Sequence, residues 1–69
     1  NLGVFKAIFN KMEKNNGWVH KARLLQEVRK ETKKSQATIY NWWKKEVETH
    51  FEENRIDKRA YIKLKEESK

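Results

Sequence analysis

The segment from Ser35 to Lys45, SQATIYNWWKK, constrains the fold of this chain more than any other segment. It begins with a serine, whose side chain can accept a hydrogen bond from the first free backbone N–H groups of a helix. Ile39, Trp43 and Val47 then recur at four-residue spacing, which places them in one apolar stripe along a helix. The segment therefore predicts an amphipathic helix, capped by Ser35, that buries this stripe.

The opposite side of the same helix is small and polar at its start and basic further on. Ala37 and Asn41 lie on this side, followed by Lys44 and Lys45. The major groove of DNA admits a helix and presents hydrogen-bonding base edges between two rows of phosphates. The pattern therefore predicts a helix that enters the major groove.

Size and charge are consistent with a small nucleic-acid-binding domain. A chain of 69 residues has room for one core and buries roughly 60% of its unfolded surface. The formal net charge of +7 points to a polyanionic partner. Three tryptophans, two tyrosines and three phenylalanines argue against disorder, because disordered chains are poor in aromatic residues.

Several classes of protein are disfavoured by what the sequence lacks. The chain has no cysteine, which excludes disulfides and thiolate metal sites. Its apolar runs are far shorter than a membrane span, and no secretory signal is visible. His20 and His50 have no ligand-like spacing with carboxylates, and no nucleophile–base pair or glycine-rich phosphate loop is present. We therefore expect no enzyme activity, no metal, no cofactor, no small-molecule substrate and no membrane partner.

A first helix is predicted for residues 2–14. Its apolar side chains share one face: Phe5, Ile8, Phe9 and Met12. The following Asn15-Asn16-Gly17 should end the helix, because both residue types tolerate the left-handed conformation found at helix ends.

A short strand at residues 18–20 and a second helix over about 21–31 are predicted next. In the second helix, one face should carry Ala22, Leu25, Val28 and Arg29, with Leu24 at the margin. Residues 32–34 would form the turn that leads to Ser35, and the third helix should fade near His50.

The C-terminal part predicts a β-hairpin. Ala60, Ile62 and Leu64 alternate with polar or amphipathic residues, which is strand periodicity. Residues 57–59 are predicted as the turn of the hairpin, and residues 66–69 as a frayed tail outside a domain of residues 1–65.

This order of elements resembles the winged helix-turn-helix family of DNA-binding domains over nearly the whole chain. The segment from Ser35 to Trp43 is similar to the Ser-x-x-Thr-Ile-x-x-apolar-apolar pattern of recognition helices, and residues 59–64 look like the returning strand of a wing. The resemblance implies an α+β fold with three helices, a short strand and a C-terminal hairpin, and duplex DNA binding through the third helix with the wing alongside. Glu46 departs from the pattern, because it should fall on the apolar side of the third helix.

The predicted DNA contacts lie in the turn before the third helix, along its exposed side and at the hairpin tip. They are Lys33, Lys34, Ser35, Gln36, Thr38, Tyr40, Asn41, Lys44, Lys45, Arg55, Lys58 and Arg59. The lysines suit phosphates, while Gln36 and Asn41 can each pair with adenine. Tyr40 is equally suited to a phosphate hydrogen bond or to partial burial, and the hairpin tip can reach the minor groove or a phosphate.

The tryptophans are predicted to be mainly structural. Trp43 lies on the stripe and should be in the core, and Trp18 should also be core. Trp42 should pack toward the second helix or stay partly exposed.

The sequence allows three alternatives to a DNA-binding winged helix. A protein-interaction winged helix would use Glu48, Glu52 and Glu53 beside an exposed Trp42. A binder of single-stranded DNA or RNA would stack bases on Trp42 and Tyr40. A homeodomain-like three-helix fold would leave residues 51–64 irregular.

The context expected for the chain is a domain of a larger replication or transcription-regulatory protein, because it begins at Asn1 rather than methionine. Other replication or transcription proteins are then possible partners. The expected location is the nucleoid-containing cytoplasm or the nucleus, without secretion.

Overall fold

A computed structural model describes residues 2–65 of the chain, and the predicted tail at residues 66–69 lies outside them. The described residues form α1 (Leu2–Lys11), β1 (Val19–His20), α2 (Lys21–Thr32), α3 (Gln36–Trp42), β2 (Phe51–Ile56) and β3 (Arg59–Leu64). The strands make one antiparallel sheet in the order β1-β3-β2. This confirms the predicted α+β class and is compatible with a small winged-helix arrangement. The regular hairpin excludes the alternative in which residues 51–64 are irregular.

Helix α1 buries the predicted face but ends earlier than predicted. Phe5, Ile8 and Phe9 are buried, whereas the helix stops at Lys11 instead of residue 14. The reason is a tight turn closed by two backbone hydrogen bonds between Asn15 and Trp18, of 2.9 and 3.0 Å. Both residues between them are left-handed, with φ of 56° and 88°, so the Asn-Gly pair forms a turn of its own.

The buried face of α2 differs from the predicted one. Leu24 and Val28 are buried, Leu25 is half-buried, and Ala22 and Arg29 are exposed. The marginal place predicted for Leu24 is therefore wrong, because Leu24 is fully buried, whereas Ala22, Leu25 and Arg29 line one groove together. The helix packs against α1 and α3 and also against β1 and β3. With the sheet as an additional neighbour, the buried face of α2 is centred on Leu24.

The core is built around Trp43, which is 1% exposed, as predicted. Its ring centroid lies 6.1 Å from that of Phe5 on α1 and 5.3 Å from that of Phe51 on β2. Trp42 is half-buried against this cluster, in agreement with its prediction. Trp18 lies outside the cluster and is half-exposed, so its predicted core role is wrong.

The third helix widens at its C-terminal end. Residues 43–47 form a π-helical turn, in which the N–H of Glu48 donates to the carbonyl of Trp43, and residues 48–50 form a 3₁₀ turn. The wider turn keeps Trp43 and Val47 buried and leaves Glu46 exposed. The prediction that Glu46 lies on the apolar side is therefore wrong, whereas the end of the helix near His50 is confirmed.

The hairpin turn contains two residues rather than the predicted three. Asp57 and Lys58 both have positive φ, at 51° and 66°. A two-residue hairpin turn needs such values, because the turn then twists in the same sense as the two strands that it joins. Arg59 already pairs with Ile56 as part of β3, so its predicted place in the turn is wrong.

The sheet has an inner and an outer face, because directly paired residues point to the same side. Val19 and Glu53 pair with Ile62, which is buried, so these residues define the inner face toward the helices. The outer face carries three rows of paired side chains: Ile56 with Arg59, then Asn54 with Tyr61 and His20, then Glu52 with Lys63.

Candidate nucleic-acid interface

The start of α3 is fixed by the predicted serine cap. The backbone N–H of Thr38 donates to Ser35 Oγ at 3.2 Å, and the Ser35 hydroxyl donates to Thr38 Oγ1 at 3.0 Å. Ser35 is exposed and Thr38 is half-buried. Both side chains therefore hold the N-terminal end of α3 in place.

The exposed side of α3 carries most of the predicted contact residues. Gln36, Tyr40 and Asn41 of α3 and Lys44 and Lys45 of the π-helical turn that continues it are all exposed. Asn41 and Lys44 lie opposite the buried stripe, whereas Gln36 and Tyr40 lie at its edge, where they line a groove with Ile39.

Tyr40 lies between two cations and is 49% exposed. The Nζ atoms of Lys21 and Lys44 lie 6.0 and 5.8 Å from its ring centroid, which is within cation–π range. Tyr40 is therefore partly buried along the α2–α3 groove, and a phosphate hydrogen bond from its hydroxyl stays a prediction. Two positive charges therefore lie next to its ring, beside the exposed side of α3.

A basic cleft of about 500 Å³ lies at the turn between α2 and α3. Its lining residues are Gln26, Arg29, Lys30, Lys33, Lys34 and Ser35. Lys33 adopts a left-handed conformation, with φ of 61°, and its N–H donates to the carbonyl of Arg29 at 2.8 Å. This cap, made by lysine where glycine is usual, brings the predicted Lys33 and Lys34 together with the cations of α2.

Sequence reasoning missed Arg29 and Lys30 as members of this cleft. The sequence pattern groups Arg29 with Ala22 and Leu25, and in the structure its side chain is exposed. Lys33 lies after α2 in a left-handed conformation, so helical spacing gave no signal that it meets Arg29 and Lys30. Lys30 lies 3.9 Å from Glu27 in a solvent-exposed ion pair, an interaction that contributes little in water.

Lys21 is a second residue that the sequence did not single out. It is the first residue of α2, its side chain is only 19% exposed, and its Nζ lies 3.8 Å from Glu53 Oε1. The same Nζ lies 5.3 Å from the ring centroid of Trp43. Lys21 thus links the sheet to the base of α3, a role that depends on tertiary contacts.

The acidic residues near the hairpin base are partly neutralised. Glu53 contacts two cations, Lys21 and Arg55, with both nitrogen–oxygen distances at 3.8 Å. Glu48 and Glu52 are exposed. The acidic patch that would attract a protein partner is therefore smaller than the sequence suggests, and Trp42, predicted beside it, is half-buried against the core.

The three predicted hairpin cations do not converge on one surface. Arg55, Lys58 and Arg59 are all exposed. Arg55 pairs with Ala60 on the inner face, whereas Arg59 pairs with Ile56 on the outer face. Arg55 therefore lies on the inner face of the sheet, Lys58 lies at the tip, and Arg59 lies on the outer face.

Comparisons of the chain with protein-family profiles, with characterised proteins and with solved structures found no match. Among residues 2–65, no helix combines the length and the apolar character needed to cross a membrane. Within the same part of the chain, no group of three or more His, Cys, Asp or Glu side chains is arranged to hold a metal ion.

Proposed function

We propose that this domain binds duplex DNA as a winged helix, with α3 in the major groove and the β2–β3 hairpin alongside. The observation that carries the proposal is the exposed side of α3. It presents Asn41 and Lys44 opposite a buried stripe, with the exposed Tyr40 at the edge of that stripe. The basic cleft of Arg29, Lys30, Lys33 and Lys34 lies at its N-terminal end.

The side chains divide into two groups by chemistry. Asn41 and Gln36 carry amides, which can form paired hydrogen bonds with adenine in the major groove. Lys33, Lys34 and Lys44 are suited to phosphates, which position a protein on DNA without reading its sequence. A helix about 10–12 Å in diameter fits a major groove about 12 Å wide, so both groups can act in one docked orientation.

Salt dependence tests the electrostatic part of the proposal. If about four to six phosphates are contacted, the slope of log affinity against log salt should be roughly −4 to −5. Fluorescence anisotropy with a labelled duplex at several salt concentrations measures this slope. An affinity that is unchanged between low and moderate salt would contradict it.

Single substitutions test the assignment of α3. Lys34→Ala and Lys44→Ala should weaken binding to all duplex sequences about equally, because phosphates carry no sequence information. Asn41→Ala should cost about 1–3 kcal/mol on a preferred site and less on other sequences, because a base contact is lost. Lys11→Ala, at an exposed lysine of α1, is the matched control for loss of one charge.

An amide chemical-shift titration with a short duplex locates the interface directly. Residues 36–45 should shift first and most. Shifts confined to α1, with residues 36–45 unchanged, would refute the assignment of α3 as the DNA-binding helix.

A protein partner is the second candidate, favoured by one observation. The groove between α2 and α3, of about 300 Å³, has an apolar lining that includes Ala22, Leu25 and Ile39. An amphipathic helix could insert there. In that case duplex DNA would produce no shifts around Tyr40, and variants of Leu25 would alter protein binding while Lys44→Ala would not.

The proposed activity fits a domain of a replication or transcription-regulatory protein, with other proteins of those machineries as additional partners. Such a domain would act where duplex DNA is held, in the nucleoid-containing cytoplasm or in the nucleus. Co-purification of a tagged chain with chromosomal DNA, compared with the Asn41→Ala and Lys44→Ala variants, tests this placement.

A further inference from the structure

The outer face of the sheet carries aromatic rings that the core does not use. Tyr61 and His20 pair across β3 and β1 with ring centroids 5.4 Å apart. Trp18 lies next to them at the end of the Asn15–Trp18 turn, and the Nζ of Lys63 lies 5.7 Å from its ring centroid. All three rings are half-exposed and lie outside the core cluster.

Amide side chains surround these rings. A groove of about 310 Å³ crosses this face, lined by Asn15, Asn16, Trp18, Asn54, Ile56 and Tyr61. The three asparagines are exposed, and each amide can both donate and accept hydrogen bonds. Ile56, which is 52% exposed, adds an apolar wall to the groove.

Cations alternate with a ring along β3. Arg59, Tyr61 and Lys63 occupy alternate positions of the strand, so all three side chains emerge on the outer face. Neighbouring members of this set are about 6.6–6.8 Å apart along the strand. In a single strand the phosphates run along the backbone and the bases project from it, so the two cations can contact phosphates while a base stacks on the ring between them.

The charges on this face are nearly balanced. Glu52 shares a row with Lys63, and a neighbouring groove contains Glu13 and Glu27 beside Lys14 and Arg23. Rings and amides, rather than net charge, therefore distinguish this face from the exposed side of α3.

We infer that the outer face of the sheet is a binding site for single-stranded nucleic acid, whose bases stack on Tyr61 and Trp18 and contact the surrounding asparagine amides. Bases in a duplex have their flat faces covered by neighbouring base pairs, whereas unpaired bases can stack on aromatic side chains. The site is separate from the proposed duplex site on α3. A chain with both sites would bind a junction where duplex DNA opens into a single strand.

The test measures binding of an oligothymidylate of about ten nucleotides, a length within the range of known single-strand sites. Tyr61→Leu and Trp18→Leu remove the rings, while Tyr61→Phe and Trp18→Phe keep a stacking surface at the same positions. Each leucine variant should bind the oligonucleotide about five- to 140-fold more weakly, from the known range for one stacked base. The phenylalanine variants should bind much as the parent does, and affinity for a blunt duplex should not change.

A second measurement on the unsubstituted chain does not depend on whether the leucine variants fold. Nuclear Overhauser contacts should connect thymine methyl protons to the rings of Tyr61 and Trp18. Contacts to Tyr40 or Trp42 instead would overturn the site, as would no binding of the oligonucleotide by the parent chain.

Two further outcomes would also overturn the inference. One is a folded pair of leucine variants that bind the oligonucleotide as tightly as the parent. The other is a concentration-dependent shift of the Trp18 and Tyr61 signals without nucleic acid, which would identify a second copy of the chain as the occupant. Failure of the duplex site would be recognised separately, as an absence of duplex-induced shifts at residues 36–45.

Discussion

Replacing Trp43 by alanine should unfold the domain near room temperature. The side chain is 1% exposed and contacts Phe5 on α1 and Phe51 on β2, so it joins the helices to the sheet. Truncating a buried aromatic residue costs about 3–5 kcal/mol, a figure that includes the aromatic contacts it loses. At roughly 0.05–0.15 kcal/mol per residue, a 69-residue chain has about 3–10 kcal/mol of stability in total.

The same figures give an expected change in melting temperature. For a domain of this size each kcal/mol shifts Tm by about 4–8 °C, so Trp43→Ala should lower Tm by about 12–40 °C. Trp42→Ala is the control and should be milder, because Trp42 is only half-buried at the edge of the core.

Trp43→Phe refines the prediction. Trp43 Nε1 is buried and has no hydrogen-bond partner among residues 2–65, and leaving such a donor unpaired costs about 1–3 kcal/mol. Phenylalanine removes this donor and keeps a ring, so it should retain much more stability than alanine.

Thermal melts followed by circular dichroism measure all three variants. If Trp43→Ala has the same Tm as the parent while Trp42→Ala is unfolded, the assignment of the buried and exposed sides of α3 is wrong. The choice of Asn41 and Lys44 as the DNA-facing side would then fall as well.

Three further changes test local features of the backbone. Ser35→Ala should lower stability by about 1 kcal/mol, because the Thr38 N–H loses its acceptor; an unchanged urea midpoint would argue against the cap. Lys58→Gly should raise stability, because Lys58 has φ of 66° and glycine adopts that conformation without steric cost; lower stability would show that the turn is not strained. The same variant should bind duplex DNA more weakly if the hairpin tip contacts a phosphate. Gly17→Ala should be destabilising, because Gly17 has φ of 88° and its new Cβ would lie 3.4 Å from Lys63 Cε; a higher Tm would contradict the turn geometry.

The helices and the hairpin were predictable because their signals are local. The Ser35 cap, the stripe of Ile39, Trp43 and Val47, and the alternation along β3 each depend on residues within a few positions of one another. Apolar spacing therefore identified the main elements, and the exposed side of α3 followed as the complement of its buried stripe.

Only the tertiary structure decided which side of α2 is buried and which cations lie close together. Leu24 and Leu25 are adjacent, and either can share a helical face with Val28, so the sequence left the phase of α2 open. In the structure, α2 packs against β1 and β3 with Leu24 buried. This orientation turns Arg29 outward into the basic cleft with Lys33 and Lys34.

The outer face of the sheet depended on tertiary structure in the same way. Trp18 and Tyr61 are 43 positions apart in sequence, and only the pairing of β1 with β3 places them on one surface. The sequence by itself determined the elements and the side of α3 that is available to a partner. The fold decided which distant side chains meet, because strand register and helix phase arise from packing across the whole core rather than from neighbouring residues.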